Sequence, residues 1–306
     1  MNAIRFPKNK IDQRAIVGLI VLSAIWGYNW VVMKECLRYS GALDFAALRT
    51  SVGAAGLFAL LLWRRTPLRP KAIPRTMFLG LLSTTGGIGF VTLALVNGGV
   101  GKTAVLVYTM PFYALIMAWP LLGEQIRGLQ WVAVILAFAG LMTIMEPWKL
   151  QSTTVSTLLA LLSGISWAGS AVTMKIMREK TDFDLVSLST WQMLFGSIPL
   201  ILLALTIPGR PIEWSWYFTG GLIYTSVIGQ SFSLLLWFYL LNRLSVGMAS
   251  MGTLATPVIG VAFASVQLGE RPSVLEGVGM FLILSALALL SYLGIREQHR
   301  LKDVVR

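Results

Sequence analysis

The stretch AIWGYNWVVMK at residues 24–34 returns later in the chain as GISWAGSAVTMK at residues 164–175. Trp26 aligns with Trp167, and both stretches end in Met-Lys, at an offset of 141 residues. Because a shared pattern at one fixed offset marks an internal repeat, the chain is predicted to be a duplication.

A second repeated pattern supports the duplication. Pro111 and the triplet Leu-Gly-Glu at residues 122–124 return as Pro257 and Leu-Gly-Glu at residues 268–270, at an offset of 146 residues. Both copies of the chain therefore carry the same features in the same order.

The composition is that of a membrane protein. Of the 306 residues, 56% are hydrophobic and only 12% are charged, whereas soluble domains carry about 25% charged residues. Apolar runs of about 18 or more residues recur with short breaks, as expected for helices that cross a bilayer. The predicted fold class is an all-α membrane protein with ten transmembrane helices, here called spans 1 to 10, at residues 16–33, 44–63, 76–96, 102–122, 128–146, 155–175, 185–207, 216–240, 246–267 and 274–294.

The ten predicted spans divide into two copies of five, at residues 15–146 and 155–294. An odd number of spans in each copy places the second copy in the membrane in the opposite orientation to the first. We therefore predict two inverted five-helix repeats, an arrangement typical of carriers, whose binding sites lie where the repeats meet.

The net charge of +12 could indicate nucleic-acid binding, but the distribution of the charges favours a membrane. With the N-terminus in the cytoplasm, 18 of the 25 basic residues fall on the inner side of the predicted spans and six on the outer side. This asymmetry predicts a multi-pass protein of the cell inner (plasma) membrane with both termini in the cytoplasm. The expected partners are the lipid bilayer and a small-molecule substrate, with no nucleic acid. We expect a monomer or a weak homo-oligomer.

The titratable residues argue against an enzyme and against a metal centre. Cys36 and His299 are the only cysteine and the only histidine, so no metal site, no cofactor and no catalytic residue is expected. None of the 13 acidic residues lies near the centre of a predicted span. This disfavours an intramembrane aspartyl protease and also a proton-coupled carrier of cationic drugs, since each needs buried carboxylates.

Neutral polar and aromatic residues remain at membrane depth. Trp26 and Asn29 share one face of span 1, and Trp167 and Ser170 share the corresponding face of span 6. Such side chains either join neighbouring helices or line a wet cavity, and both readings stay open. The candidate residues of a substrate cavity are Trp26, Asn29, Arg49, Tyr108, Trp167, Ser170, Gln192, Tyr224 and Gln230.

Arg49 is the one basic residue well inside a predicted span. A charge at mid-depth costs at least about 2.5 kcal/mol unless it is paired or hydrated. One interpretation is a structural link to Asp44 or to carbonyls near the outer boundary, and this is the one we favour. The other is an anchor for a substrate carboxylate.

Two prolines at matching places in the two copies interrupt the middle of a predicted span, Pro111 in span 4 and Pro257 in span 9. A proline within a helix removes one backbone hydrogen bond and clashes with the preceding turn. We expect a kink at each site, which would serve either as a hinge or as a static bend.

Taken together, these motifs resemble the EamA family of the drug/metabolite transporter superfamily. The resemblance rests on Trp26-Gly27 followed by Lys34, on Arg49 in span 2, and on the Pro and Leu-Gly-Glu patterns that end spans 4 and 9. It covers residues 15–294. The second copy departs from the pattern with Ala168 in place of Gly27, and with Gln192 or a neighbour in place of the span 2 arginine.

The resemblance implies export of amino acids or related small metabolites by alternating access from a central cavity. The family contains amino-acid exporters, including some for aromatic amino acids. An inner-membrane exporter of this type is therefore the expected function. The alternatives are a nucleotide-sugar, phosphate-ester or drug exchanger of the same superfamily and, with less support, a membrane enzyme or a lipid flippase-like factor.

Overall fold

The computed structural model describes residues 13–97, 100–145, 154–180, 183–207, 209–259 and 273–305. These residues form helices joined by short connections. The helices are α1 (Gln13–Cys36), α2 (Ala42–Trp63), α3 (Ile73–Gly80), α4 (Phe90–Asn97), α5 (Val100–Val107), α6 (Met110–Leu122), α7 (Gln130–Met145), α8 (Thr154–Lys180), α9 (Leu185–Thr206), α10 (Trp216–Ile223), α11 (Ser233–Arg243), α12 (Val246–Gly252) and α13 (Val274–Val305).

The predicted all-α membrane class is confirmed for the part of the chain described above. Six helical runs are long and apolar enough to cross a membrane, and four shorter apolar helices accompany them. The arrangement of ten spans as an inverted repeat stays a prediction.

Two π-helical segments interrupt long helical runs at matching places in the two copies. Leu81–Gly89 lies between α3 and α4, and Tyr224–Phe232 lies between α10 and α11, each with nine residues. A π-turn widens the helix and displaces its hydrogen-bonding ladder, and such turns occur frequently at functional sites. Both segments border the space between α1, α2 and α8, which is therefore a candidate location for a functional site.

The repeated Met-Lys pairs have a structural role at helix C-termini. Lys34 Nζ donates to the Leu95 carbonyl of α4 at 2.9 Å. Lys175 Nζ donates to the Leu241 and Leu244 carbonyls at the end of α11, both at 2.8 Å. The last carbonyls of a helix lack partners within the helix and carry partial negative charge, so a lysine there satisfies them.

The first Leu-Gly-Glu triplet connects α6 to α12. Gly123 ends α6 with a φ of 68°, the left-handed conformation that glycine adopts without steric cost. The turn presents the Glu124 carboxylate to α12, where it accepts hydrogen bonds from the backbone N–H groups of Val246 at 3.0 Å and Gly247 at 3.1 Å. The repeat partner, Glu270, lies outside the described residues.

Replacement of Glu124 by alanine is expected to destabilise the protein. Two N–H groups at the start of α12 would lose a charged acceptor, which corresponds to about 2 kcal/mol. Thermal unfolding of the detergent-purified protein should show a lower midpoint for Glu124→Ala than for Glu213→Ala, a control that removes an exposed carboxylate. Equal midpoints would show that the two hydrogen bonds contribute nothing.

The two candidate hinge prolines lie just after breaks in their helices. α5 ends at Val107 and α6 begins at Met110, so Pro111 occupies the first turn of α6, where no N–H donor is needed. α12 ends at Gly252, two turn residues follow, and Pro257 lies in the next helical stretch, residues 255–259. Each helical run is therefore interrupted just ahead of its proline, at the turn with which the ring would clash, and the expected kink stays a prediction. A hinge role for these breaks stays a prediction.

Candidate functional site

A cavity lies among α1, α2, α4, α5, α6, α8, α11 and the two π-helical segments. We call it the central cavity. Its lining residues are Trp26, Asn29, Trp30, Met33, Arg49, Ser83, Ile88, Val91, Val107, Tyr108, Met110, Trp167, Ser170, Gly229, Gln230, Leu234, Trp237 and Thr253.

Aromatic rings form much of the wall. The rings of Trp26 and Trp237 lie with their centroids 6.0 Å apart. Trp30 and Tyr108 form a second pair at 5.9 Å, and Trp30 Nε1 donates to the Tyr108 hydroxyl at 2.6 Å. Rigid rings with satisfied polar ends suit the recognition of a flat apolar solute.

Trp167 is held in place by the first π-helical segment. Its Nε1 donates to the Ser83 carbonyl at 3.0 Å. A Cβ atom built on Gly87 would lie 2.0 Å from the same nitrogen, so only glycine leaves room for the indole. Ser170, one turn further along α8, donates its hydroxyl to the Trp167 carbonyl at 2.9 Å.

Among the described residues, Arg49 is the only charged one that lines the central cavity. Its side chain is 2% exposed. Nη1 donates to the Met33 sulfur at 3.0 Å, and Nε donates to the Thr225 carbonyl of the second π-helical segment at 3.3 Å. Of the two structural links expected for Arg49, the one to a backbone carbonyl is present, and among the described residues no ion pair joins Arg49 to Asp44.

Asn29 lies one turn before Met33 on α1 and faces the same sulfur. Its Nδ2 donates to Met33 Sδ at 3.1 Å. Its Oδ1 is buried without a hydrogen-bond partner among the described residues. A Cβ built on Gly229 would lie 2.3 Å from that oxygen, so a glycine of the second π-helical segment makes room for the amide. The polar corner of the cavity therefore combines a guanidinium, an amide and a thioether.

Seven of the nine candidate residues are brought together. Trp26, Asn29, Arg49, Tyr108, Trp167, Ser170 and Gln230 line the central cavity.

Gln192 and Tyr224 lie outside the lining. Gln192 is fully buried between helices, where its Oε1 accepts from Thr84 Oγ1 at 3.3 Å. Tyr224 donates its hydroxyl to the Ile25 carbonyl at 3.3 Å and packs edge-on against Tyr28. Both side chains join neighbouring helices, and a role for them in the cavity stays a prediction.

Several lining residues were not predicted as part of the site, among them Trp30, Met33, Gly229 and Trp237. Met33 carried a usable signal, because it belongs to the repeated Met-Lys pair. Gly229 lies in a glycine-containing part of span 8. Trp30 and Trp237 also carried a signal, because they lie four residues after Trp26 and seven residues after Gln230, spacings that place side chains on one helix face.

The described residues that line the cavity do not form a recognisable catalytic site. Among the described residues, no group of three or more His, Cys, Asp or Glu side chains could hold a metal ion, and no carboxylate lines the central cavity. A polar corner inside an aromatic chamber, within a bundle of apolar helices, is typical of the class of membrane transporters.

The sequence matches the model of the EamA-like transporter family over residues 13–145 and again over residues 154–292. The chain belongs to this family, and the resemblance stated from its motifs is confirmed. It is a multi-pass membrane protein of a transporter family. Membership of the family implies that its partners are a small-molecule substrate and the lipid bilayer.

Named relatives and a solved structure agree with this family. A Bacillus subtilis (strain 168) protein named "Uncharacterized transporter YoaV" is 27% identical and covers 88% of this chain and 94% of its own length. An Escherichia coli (strain K12) protein named "Probable amino-acid metabolite efflux pump" is 26% identical and covers 94% of this chain and 97% of its own length. A crystal structure superposes with a TM-score of 0.79 at 16% identity, over 93% of this chain and 98% of that one, and shows the same fold.

Proposed function

We propose that the chain is an inner-membrane carrier that exports amino acids or related small metabolites through the central cavity by alternating access. The observation that carries the proposal is the cavity itself, in which Trp26 of the first copy and Trp167 of the second lie in one lining. Inverted-repeat carriers form their sites at such an interface.

The two-copy organisation supports this mechanism. Each copy contributes one π-helical segment and one helix break ahead of a proline. In our proposal the ten spans form two inverted repeats, residues 15–146 and 155–294, with both termini in the cytoplasm. The breaks ahead of Pro111 and Pro257 then act as the hinges about which the two ends of the cavity open in turn.

The Escherichia coli relative is named "Probable amino-acid metabolite efflux pump". This name supports amino acids or related metabolites as the solutes. The cavity lining does not support a nucleotide sugar or a phosphate ester. Such solutes carry two or more negative charges, and Arg49 is the only cation among those lining residues that the structure describes.

Counterflow in proteoliposomes tests the proposal. The purified protein is reconstituted with a saturating unlabelled amino acid inside, and uptake of the same labelled amino acid is followed for each of the twenty. At least one should accumulate transiently above its equilibrium level. If none of the twenty does so, the amino-acid proposal is refuted.

Alanine at Trp26 or at Trp167 is expected to lower the counterflow rate by about tenfold or more, because each change removes a large aromatic contact worth several kcal/mol. The matched control is Trp63→Ala, which removes a tryptophan that is 82% exposed at the end of α2. Counterflow should continue in the control. Normal rates in both cavity variants, at equal reconstituted amounts, would contradict the assignment of the cavity.

A further inference from the structure

We infer that Arg49 is the binding group for a substrate carboxylate, and that the transported solutes are monocarboxylates with an apolar, flat body. This rests on the proposed carrier function and specifies the solute class. The Met33 sulfur holds the place that a carboxylate oxygen takes when the solute binds.

The first reason is that Arg49 has few hydrogen-bond acceptors around it and that one of them is weak. A guanidinium carries five N–H donors and stays charged in proteins. Arg49 is almost fully buried, yet its hydrogen bonds go to a thioether at 3.0 Å and to a carbonyl at 3.3 Å. It forms no ion pair with any described carboxylate. Because a thioether is a weak acceptor and a buried charge is costly without a counter-ion, the site is incomplete until an anion enters.

The second reason is the convergence of two donors on one sulfur. Arg49 Nη1 and Asn29 Nδ2 both point at Met33 Sδ, at 3.0 and 3.1 Å. An oxygen of a carboxylate at this point would accept from the guanidinium and from the amide at once. Charge-assisted hydrogen bonds of this type are about twice as strong as neutral ones, so the anion displaces the sulfur.

The third reason is the neighbouring surface. Trp26, Trp30 and Trp167 line the same cavity as Arg49, so a solute anchored by its carboxylate would extend along aromatic faces. In the described part of the chain, no carboxylate lines the cavity to pair with a solute ammonium. The carboxylate is therefore required for binding, and the ammonium is not.

Three ligands with the same phenyl ring and carbon chain separate the charge requirements. They are L-phenylalanine, 3-phenylpropionate, which lacks the ammonium, and phenethylamine, which lacks the carboxylate. Binding to the detergent-purified full chain is measured by the change in tryptophan fluorescence, since four of the chain's 11 tryptophans line the cavity. Phenylalanine and 3-phenylpropionate should bind, and phenethylamine should bind at least about tenfold more weakly. Equal or tighter binding of phenethylamine overturns the inference, as does failure of both carboxylates to bind at millimolar concentration.

Two substitutions test the residues. Arg49→Gln should weaken 3-phenylpropionate binding by about tenfold or more, because the charged donor is lost. Arg38→Gln, which removes a cation that is 71% exposed, should leave the affinity unchanged. Unchanged affinity in Arg49→Gln overturns the inference.

The Met33→Leu substitution distinguishes carboxylate binding by Arg49 from a purely structural role of Arg49. The change keeps the side-chain volume nearly constant but removes the acceptor that competes with the carboxylate. The affinity for 3-phenylpropionate should therefore rise a few fold, even if Arg49→Gln fails to fold. A fall in affinity, or no change, counts against displacement of the sulfur.

The outcomes also separate this inference from the carrier proposal. Counterflow of phenethylamine or of neutral solutes without counterflow of carboxylates would leave the carrier function standing and refute the carboxylate site. Binding of 3-phenylpropionate that depends on Arg49, without counterflow of any solute, would support the carboxylate site and refute the carrier function.

Discussion

Gly80→Ala should be among the most destabilising single-methyl additions in this protein. An added Cβ would lie 2.3 Å from the Gln192 carbonyl oxygen and 2.9 Å from the Gly196 nitrogen. These are backbone atoms of α9 and cannot rotate away, so α3 and α9 must separate. Overpacking of this kind costs about 1–3 kcal/mol or more, and small residues are what allow helices in membranes to approach so closely.

The thermal unfolding midpoint in detergent should fall by several degrees. Gly56→Ala is the matched control, because an added Cβ there meets no atom within 4 Å. This change should leave the midpoint unchanged or raise it, since alanine favours the helix by about 1 kcal/mol over glycine. Equal midpoints for the two variants would show that the crossing of α3 and α9 is looser than described.

Gly87→Ala is expected to abolish most transport while the protein remains folded. The new methyl would lie 2.0 Å from Trp167 Nε1 and 2.4 Å from Cδ1. Since the indole is rigid, it must leave its place and give up the hydrogen bond to the Ser83 carbonyl. The cavity wall then changes shape where we expect the solute to bind.

Counterflow should drop by about tenfold or more, because misplacement of a binding group by about 1 Å can have an effect of this size. Gly169→Ala serves as the control on the same helix as Trp167. An added Cβ there makes ordinary contact with Leu82 at 3.5 Å, so counterflow should persist. If Gly87→Ala transports as well as Gly169→Ala, the position of Trp167 does not matter for the solute.

Much of the fold could be predicted because the lengths of the apolar segments and the repeated motifs can be read directly from the sequence. The paired Trp26 and Trp167 showed which faces of span 1 and span 6 look inward. The Met-Lys and Leu-Gly-Glu repeats were recognised as conspicuous, but not as caps. The bond from Lys34 to Leu95 joins groups 61 residues apart, and no local pattern reveals such a contact.

The differences between the sequence-based expectations and the structure have physical reasons. Gln192 and Tyr224 lie on helices that are apolar on most sides, so the sequence did not show which polar side chains face the cavity and which bond to a neighbouring helix. The π-helical segments contain serine, threonine and glycine, which also occur in ordinary α-helices within membranes, so their composition did not show a π-turn. The partners of Arg49 come from α1 and from the second π-helical segment, and only the folded chain brings them together.

The most direct test of the carrier account is whether one point in the central cavity can be reached from both sides of the membrane. Cys36 is the only cysteine, so Ser170→Cys in a Cys36→Ala background places a single thiol in the cavity lining. A membrane-impermeant thiol reagent is then applied to vesicles of known orientation from one side or the other. We expect modification at position 170 from either side, slowed by any amino acid that shows counterflow. Modification from one side only, in a variant that still transports, would contradict alternating access through this cavity.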